Sequence, residues 1–129
     1  MKTPLTKILY AEDEEDIRSI AQIALEDVGG FTLEFCENGQ EVVSKIEHFK
    51  PDLLLLDVMM PMMDGPSALK AVRKIPGYEN VPAIFMTAKI QPAEIAEYKA
   101  LGVLDVITKP FDPMTLSQNL VNIWTAYDK

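Results

Sequence analysis

Short apolar runs alternate along this chain with longer segments in which apolar positions recur every three to four residues. KILYA (7–11) reads as a strand, and the next segment carries Ile17, Ile20, Ala21, Ala24 and Val28 at helical spacing. Gly29-Gly30 predicts the end of that helix. FTLEFC (31–36) alternates apolar and polar residues, as a strand at a sheet edge with one wet face does. Asn38 followed by Glu41 predicts a capped helix start, with Val42, Val43, Ile46 and Phe49 turned inward.

DLLLLD (52–57) is apolar without alternation, which marks a central parallel strand covered on both faces. Asp64 and Pro66 open a third helix carrying Ala68, Leu69 and Val72. PAIFMTA (82–88) reads as a fourth strand, QPAEIAEYKA (91–100) as a weakly amphipathic helix and VLDVIT (103–108) as a fifth strand. The last helix is expected from Asp112-Pro113, burying Leu116, Leu120, Ile123 and Trp124. Five strand-helix units in strict alternation predict an α/β fold: a doubly wound, five-stranded parallel sheet flanked by five helices. No linker-like tract divides the sequence, so residues 1–129 are expected to form a single domain.

One stretch stands against this pattern. LLLLDVMMPMMDG (53–65) runs four leucines into Asp57 and then resumes apolar residues at once. A carboxylate beside a buried strand is costly unless a cation compensates it. In parallel sheets of this kind the functional crevice lies outside the carboxyl ends of the strands. Those ends carry Glu12 and Asp13 after the first strand, Asp57 after the third, Thr87 after the fourth and Lys109 after the fifth. Three carboxylates brought together repel one another and call for a cation. Mg²⁺ suits such a site, because it takes one or two carboxylates together with water and phosphate oxygens. A nucleophilic carboxylate, a divalent ion, a lysine and a hydroxyl are the parts that phosphoryl transfer requires.

Composition narrows the reading. Apolar residues make up 48% of the chain and charged residues 25%, as in ordinary globular proteins. Twelve basic against twenty acidic residues give a net charge of −8, which argues against a nucleic-acid-binding surface. The single Cys36 cannot form an internal disulfide, so a reducing compartment, and hence the cytoplasm, is expected. An acidic cluster follows the N-terminus too soon for a signal peptide. No apolar run reaches membrane-spanning length, so no membrane partner is expected.

Four segments, ILYAEDEEDIR, PDLLLLDVMMPMMDG, IFMTA and VITKPF, occur in this order over nearly the whole chain. Together they resemble the receiver domain of two-component response regulators, including the chemotaxis-regulator type. The resemblance implies a flavodoxin-like sheet of order 2-1-3-4-5; the alternation of residues 31–36 alone supports only the second strand at an edge. It also implies that Asp57 accepts a phosphoryl group from a sensor histidine kinase or a histidine phosphotransfer protein, and that the domain then signals to an unnamed output protein. Asp13, Asp57 and the Met59 main-chain carbonyl would ligate Mg²⁺, with Glu12 assisting through water. Thr87 and Lys109 would bind the phosphoryl oxygens, and the Lys109–Pro110 peptide would be cis. The implied protein is a switch that catalyses only its own phosphorylation and dephosphorylation. A dimer formed on phosphorylation is left open.

The chain departs from the family in three places. Val106 stands where receivers carry an aromatic ring that responds to phosphorylation, so movement of the fourth helix, thinly anchored by Ile95 and Tyr98, is the expected alternative. Met59 and Lys89 flank the family's route for an attacking water. Met59 cannot orient water, which predicts slow self-dephosphorylation. Met62 replaces a common glycine and predicts a stiffer loop.

Plainer roles suit several of these residues. Glu14, Glu15 and Asp16 fit helix-start charges, whereas Asp13 occupies the matched site. The methionines at 59, 60, 62 and 63 read as packing and loop filler, and His48 as solvated. Trp124 and Tyr127 read as anchors of the last helix. Two rival functions stand beside the switch. One is an Mg²⁺-dependent phosphatase with an aspartyl-phosphate intermediate, disfavoured because Met59 holds the place of its usual second aspartate. The other is a phosphate-independent protein-binding module.

Overall fold

In the computed structural model, which describes residues 4–88 and 91–127, five parallel strands form one sheet. They are β1 (Lys7–Ala11), β2 (Thr32–Cys36), β3 (Leu53–Asp57), β4 (Ala83–Thr87) and β5 (Asp105–Thr108), in the order β2-β1-β3-β4-β5. The half-exposed β2 lies at an edge, as its alternation predicts, and every residue of β3 and β4 is buried. Five helices connect and flank the strands: α1 (Glu15–Gln22), α2 (Gly39–Phe49), α3 (Gly65–Val72), α4 (Pro92–Ala100) and α5 (Leu116–Tyr127).

Side chains alternate across each strand, so the leucine run serves two cores at once. Leu54 and Leu56 face Val42, Ile46, Ala68, Leu69 and Val72 of α2 and α3. Leu53 and Leu55 face Ala21, Ala24, Leu25, Leu116, Leu120 and Trp124 on the α1 and α5 side. That double burial is why β3 has no polar position before Asp57. The expected caps are present: Asn38 accepts from the Glu41 N–H at 3.0 Å, and Asp64 accepts from the Ser67 N–H at 2.8 Å.

The α1 stripe is corrected by the structure. Ala21 and Ala24 are buried, but Ile20 and Val28 are 44% and 50% exposed. A π-helical segment, Ile23–Val28, continues α1 and widens its turn. The wider turn moves the inward face off the 3.6-residue phase, so Leu25 is buried instead of Val28. The segment still ends at the glycine pair: Gly30 has φ 74°, and the Phe31 N–H reaches the Leu25 carbonyl at 2.9 Å.

The last helix also starts later than the sequence predicts. Asp112 first forms a turn, accepting from the Met114 N–H at 2.9 Å through its side chain, and regular helix begins at Leu116. Leu116, Leu120 and Trp124 are buried, while Ile123 is half-buried. Tyr127 is exposed, its ring 5.6 Å from that of Trp124, so of these two aromatic residues Trp124 alone anchors the helix in the core. On α4 no residue is buried; Ile95 and Tyr98 are half-buried, in keeping with its thin apolar stripe.

Candidate functional site

Parallel pairing brings the expected residues to one rim. Ala11 pairs with Leu56, and Asp57 pairs with Met86 just before Thr87. The Lys109 N–H extends the β4–β5 ladder by donating to the Thr87 carbonyl at 2.8 Å. From that position the Lys109 ammonium donates to Asp57 Oδ2 at 2.8 Å and to Glu12 Oε1 at 3.0 Å. Glu12 is wholly buried, Asp57 is 3% exposed, and Asp13 lies on the open side of the cluster.

The electrostatics follow from this crowding. Burial, and then the Asp57 charge, raise the Glu12 carboxyl to about 7; hydrogen bonding and attraction from Lys109 and the Glu14 N–H offset only part of the rise. Burial works against the Lys109 charge as well. Its bonds to Asp57 and Glu12 outweigh that effect, and its pKa lies above the ordinary lysine value. The lysine is thus a fixed cation serving two buried carboxylates.

Oxygen atoms of Glu12, Asp13 and Asp57 all lie within 4.8 Å of one another. Such an all-oxygen, anionic set suits a hard divalent cation, and it could hold Mg²⁺. Exposed Asp13 gives the cluster a side open to solvent.

The loop after β3 frames the rim. The Met59 N–H reaches Asp57 Oδ1 at 3.4 Å, while the Met59 side chain is 76% exposed. Gly65 packs directly on the backbone of Asp57, where a Cβ would stand 2.5 Å from the Asp57 carbonyl oxygen. Met62 has φ 68°, the left-handed region in which glycine is at ease. A cleft of about 340 Å³ runs beside the rim between Met59, Thr87 and the α4 side chains Glu94 and Tyr98. The Lys109–Pro110 peptide is cis.

Sequence reasoning missed two features. Tyr10, wholly buried on β1, places its hydroxyl by Glu12; burial and the Glu12 and Asp57 charges raise its pKa above the ordinary range. The only signal was a polar tip inside an otherwise apolar strand. The second feature is the ring of Tyr98, which meets Phe85 edge-on at 5.3 Å and packs on the same core cluster as Val106. His48 is exposed, as expected, and Lys89 lies outside the described residues. Among the described residues no helix is long and apolar enough to cross a membrane.

Comparison with known proteins agrees with this geometry. The chain is 30% identical over 123 residues to the response regulator Rre1 of Synechocystis, covering 95% of this chain and 53% of that protein. It is 37% identical over 107 residues to the alkaline phosphatase synthesis transcriptional regulatory protein PhoP of Bacillus subtilis, covering 83% and 43%. The chain therefore spans about half the length of these curated relatives. Among solved structures, the chemotaxis response regulator CheY4 of Vibrio cholerae superimposes with a TM-score of 0.84 at 32% identity, covering 92% of this chain and 98% of that one. Residues 8–121 match the response regulator receiver domain, and the chain belongs to that family of two-component signalling proteins.

Proposed function

We propose that residues 1–129 act as one receiver domain in which Asp57 accepts a phosphoryl group from a phosphohistidine. Response regulators receive their signals from histidine kinases, and the donor here is a sensor kinase or a histidine phosphotransfer protein. An Asp57 oxygen attacks phosphorus in line, the phosphorus–nitrogen bond of the donor breaks, and its electron pair returns to the imidazole. The observation that carries this reading is Lys109, held 2.8 Å from Asp57 and 3.0 Å from Glu12 inside a buried acidic cluster.

In this reading Lys109 follows the charge as it moves onto the phosphoryl oxygens, and the Thr87 hydroxyl donates to one of them. Asp13, Asp57 and the Met59 carbonyl would hold Mg²⁺, with Glu12 assisting through water. The bound ion supplies charge neutralisation for the incoming phosphoryl group. The apolar strand around Asp57 limits water, so the acyl phosphate lasts long enough to be read by an output protein. Met59, a thioether, offers no proton to a leaving group, which favours a switch over a turnover phosphatase.

Incubation with acetyl phosphate and Mg²⁺, followed by intact-mass measurement, tests the proposal. One added phosphoryl group, lost in Asp57→Asn, is the expected result. No addition would point to a phosphate-independent binding module, and rapid turnover without a stable adduct to a phosphatase.

A further inference from the structure

Tyr10 stands two positions before Glu12 on β1, so both side chains leave the same face of the sheet. Its ring is wholly buried and packs at a tilt against Phe35, with centroids 5.6 Å apart. Its hydroxyl is buried beside the Glu12 carboxylate and interacts with it, but outside normal hydrogen-bond geometry. A buried hydroxyl paired this poorly is unfavourable, and a phenylalanine would pack the same space without that penalty.

The neighbouring carboxylate is already occupied. Glu12 Oε1 accepts from Lys109 at 3.0 Å, and Oε2 accepts from the Glu14 N–H at 3.3 Å. Lys109 is shared, because it also binds Asp57 Oδ2 at 2.8 Å. Once Asp57 carries a phosphoryl group, its new oxygens compete for that ammonium. Glu12, with no exposed surface, then loses its strongest donor.

We infer that Tyr10 is a positioning residue for the phosphorylated state: its hydroxyl donates to Glu12 when Lys109 turns to the phosphoryl group. The exchange would keep Glu12 directed at the divalent ion that Asp13 and Asp57 would hold. The resting protein tolerates a poorly paired hydroxyl, and the loaded site has no orphaned carboxylate. This inference rests on Asp57 as the phosphoacceptor.

Tyr10→Phe separates the two states. Its melting temperature without phosphoryl group or metal should equal or exceed that of the parent protein. The Mg²⁺ concentration for half-maximal phosphorylation by acetyl phosphate should rise by about tenfold, the scale for losing a partner behind a metal ligand. The increase in melting temperature on adding beryllofluoride and Mg²⁺ should shrink by about half or more, a readout independent of turnover. Phe35→Leu is the packing control, and should lower the melting temperature without moving the Mg²⁺ requirement. An unchanged Mg²⁺ requirement in Tyr10→Phe, or an equal shift in Phe35→Leu, overturns the inference while leaving Asp57 as acceptor. A parent protein that takes up no phosphoryl group overturns both.

Discussion

Lys109 Nζ lies 2.8 Å from Asp57 Oδ2, although 52 residues separate them, and the same ammonium reaches Glu12 at 3.0 Å. One cation therefore compensates two buried carboxylates. Replacing it by Met removes the charge that favours the ionised forms of Glu12 and Asp57, and removing one partner of a buried pair costs roughly 3 kcal/mol or more. Metal-free Lys109→Met should be destabilised by about that amount in urea melts, and Mg²⁺ should restore more stability to the variant than to the parent. Equal Mg²⁺ effects in both would mean that the ion and the lysine do not neutralise the same charges.

Glu12 gives the fold a pH dependence of defined sign. Its carboxyl lies near 7 in the folded protein against an ordinary value of 4.5, so the folded state holds the proton more tightly. Its contribution to stability is complete below about pH 4.5 and is lost as pH rises through about 7. Without metal, the stability of the parent should fall relative to that of Glu12→Gln across this window. A difference between them that stays flat from pH 4.5 to 7 would contradict the assignment.

Met59 exposes 76% of its surface beside Asp57 but presents no group that orients water. Met59→Asn introduces an amide able to do so, and should shorten the lifetime of the aspartyl phosphate several-fold. Loss of the adduct followed by mass measurement is sufficient. An unchanged decay would place control of hydrolysis elsewhere.

Met62 adopts φ 68° with its side chain exposed and its sulfur accepting from Asn38 Nδ2 at 3.4 Å. A non-glycine residue in this region is strained by roughly 1–2 kcal/mol. Glycine relieves that strain but frees the unfolded chain, offsetting up to about 1 kcal/mol. Met62→Gly should therefore be neutral to about 1 kcal/mol more stable by thermal melting. Clear destabilisation would show that the Asn38 contact outweighs backbone strain.

With valine at position 106, the ring nearest the cleft beside Thr87 belongs to α4: Tyr98, edge-on to Phe85. Amide exchange across residues 91–107 should differ between the resting protein and its beryllofluoride complex. Identical protection in both states would remove α4 as the moving element.

The sequence made most of this arrangement legible for one physical reason: β1, β3 and β4 are buried, so their ends are marked where a carboxylate or a threonine follows the apolar run. Glu12, Asp57 and Thr87 were visible as interruptions of apolar runs, and Lys109 by analogous position. The phase of α1 was not legible, because a widened turn at Ile23–Val28 leaves no mark in a pattern read at 3.6 residues. The same holds for Tyr10 and for the contact of Gly65 with Asp57, which depend on distances between separate strands and loops. Asp112 shows a third limit: its side chain satisfies a turn first, so helix begins later than its capping character indicates.

Arg73, at the end of α3, donates to the Leu101 and Gly102 carbonyls where α4 runs into β5, and to the Val81 carbonyl before β4. The guanidinium rivets the far end of α4 to the body of the protein, while the near end borders the rim at Thr87. A rod pinned at one end behaves as a lever: if α4 moves, a small push at Thr87 would become a tilt about Arg73, largest in the first turn of α4 around Pro92. An output protein that reads this domain by shape would thus be offered an angle, with Arg73 as its fulcrum.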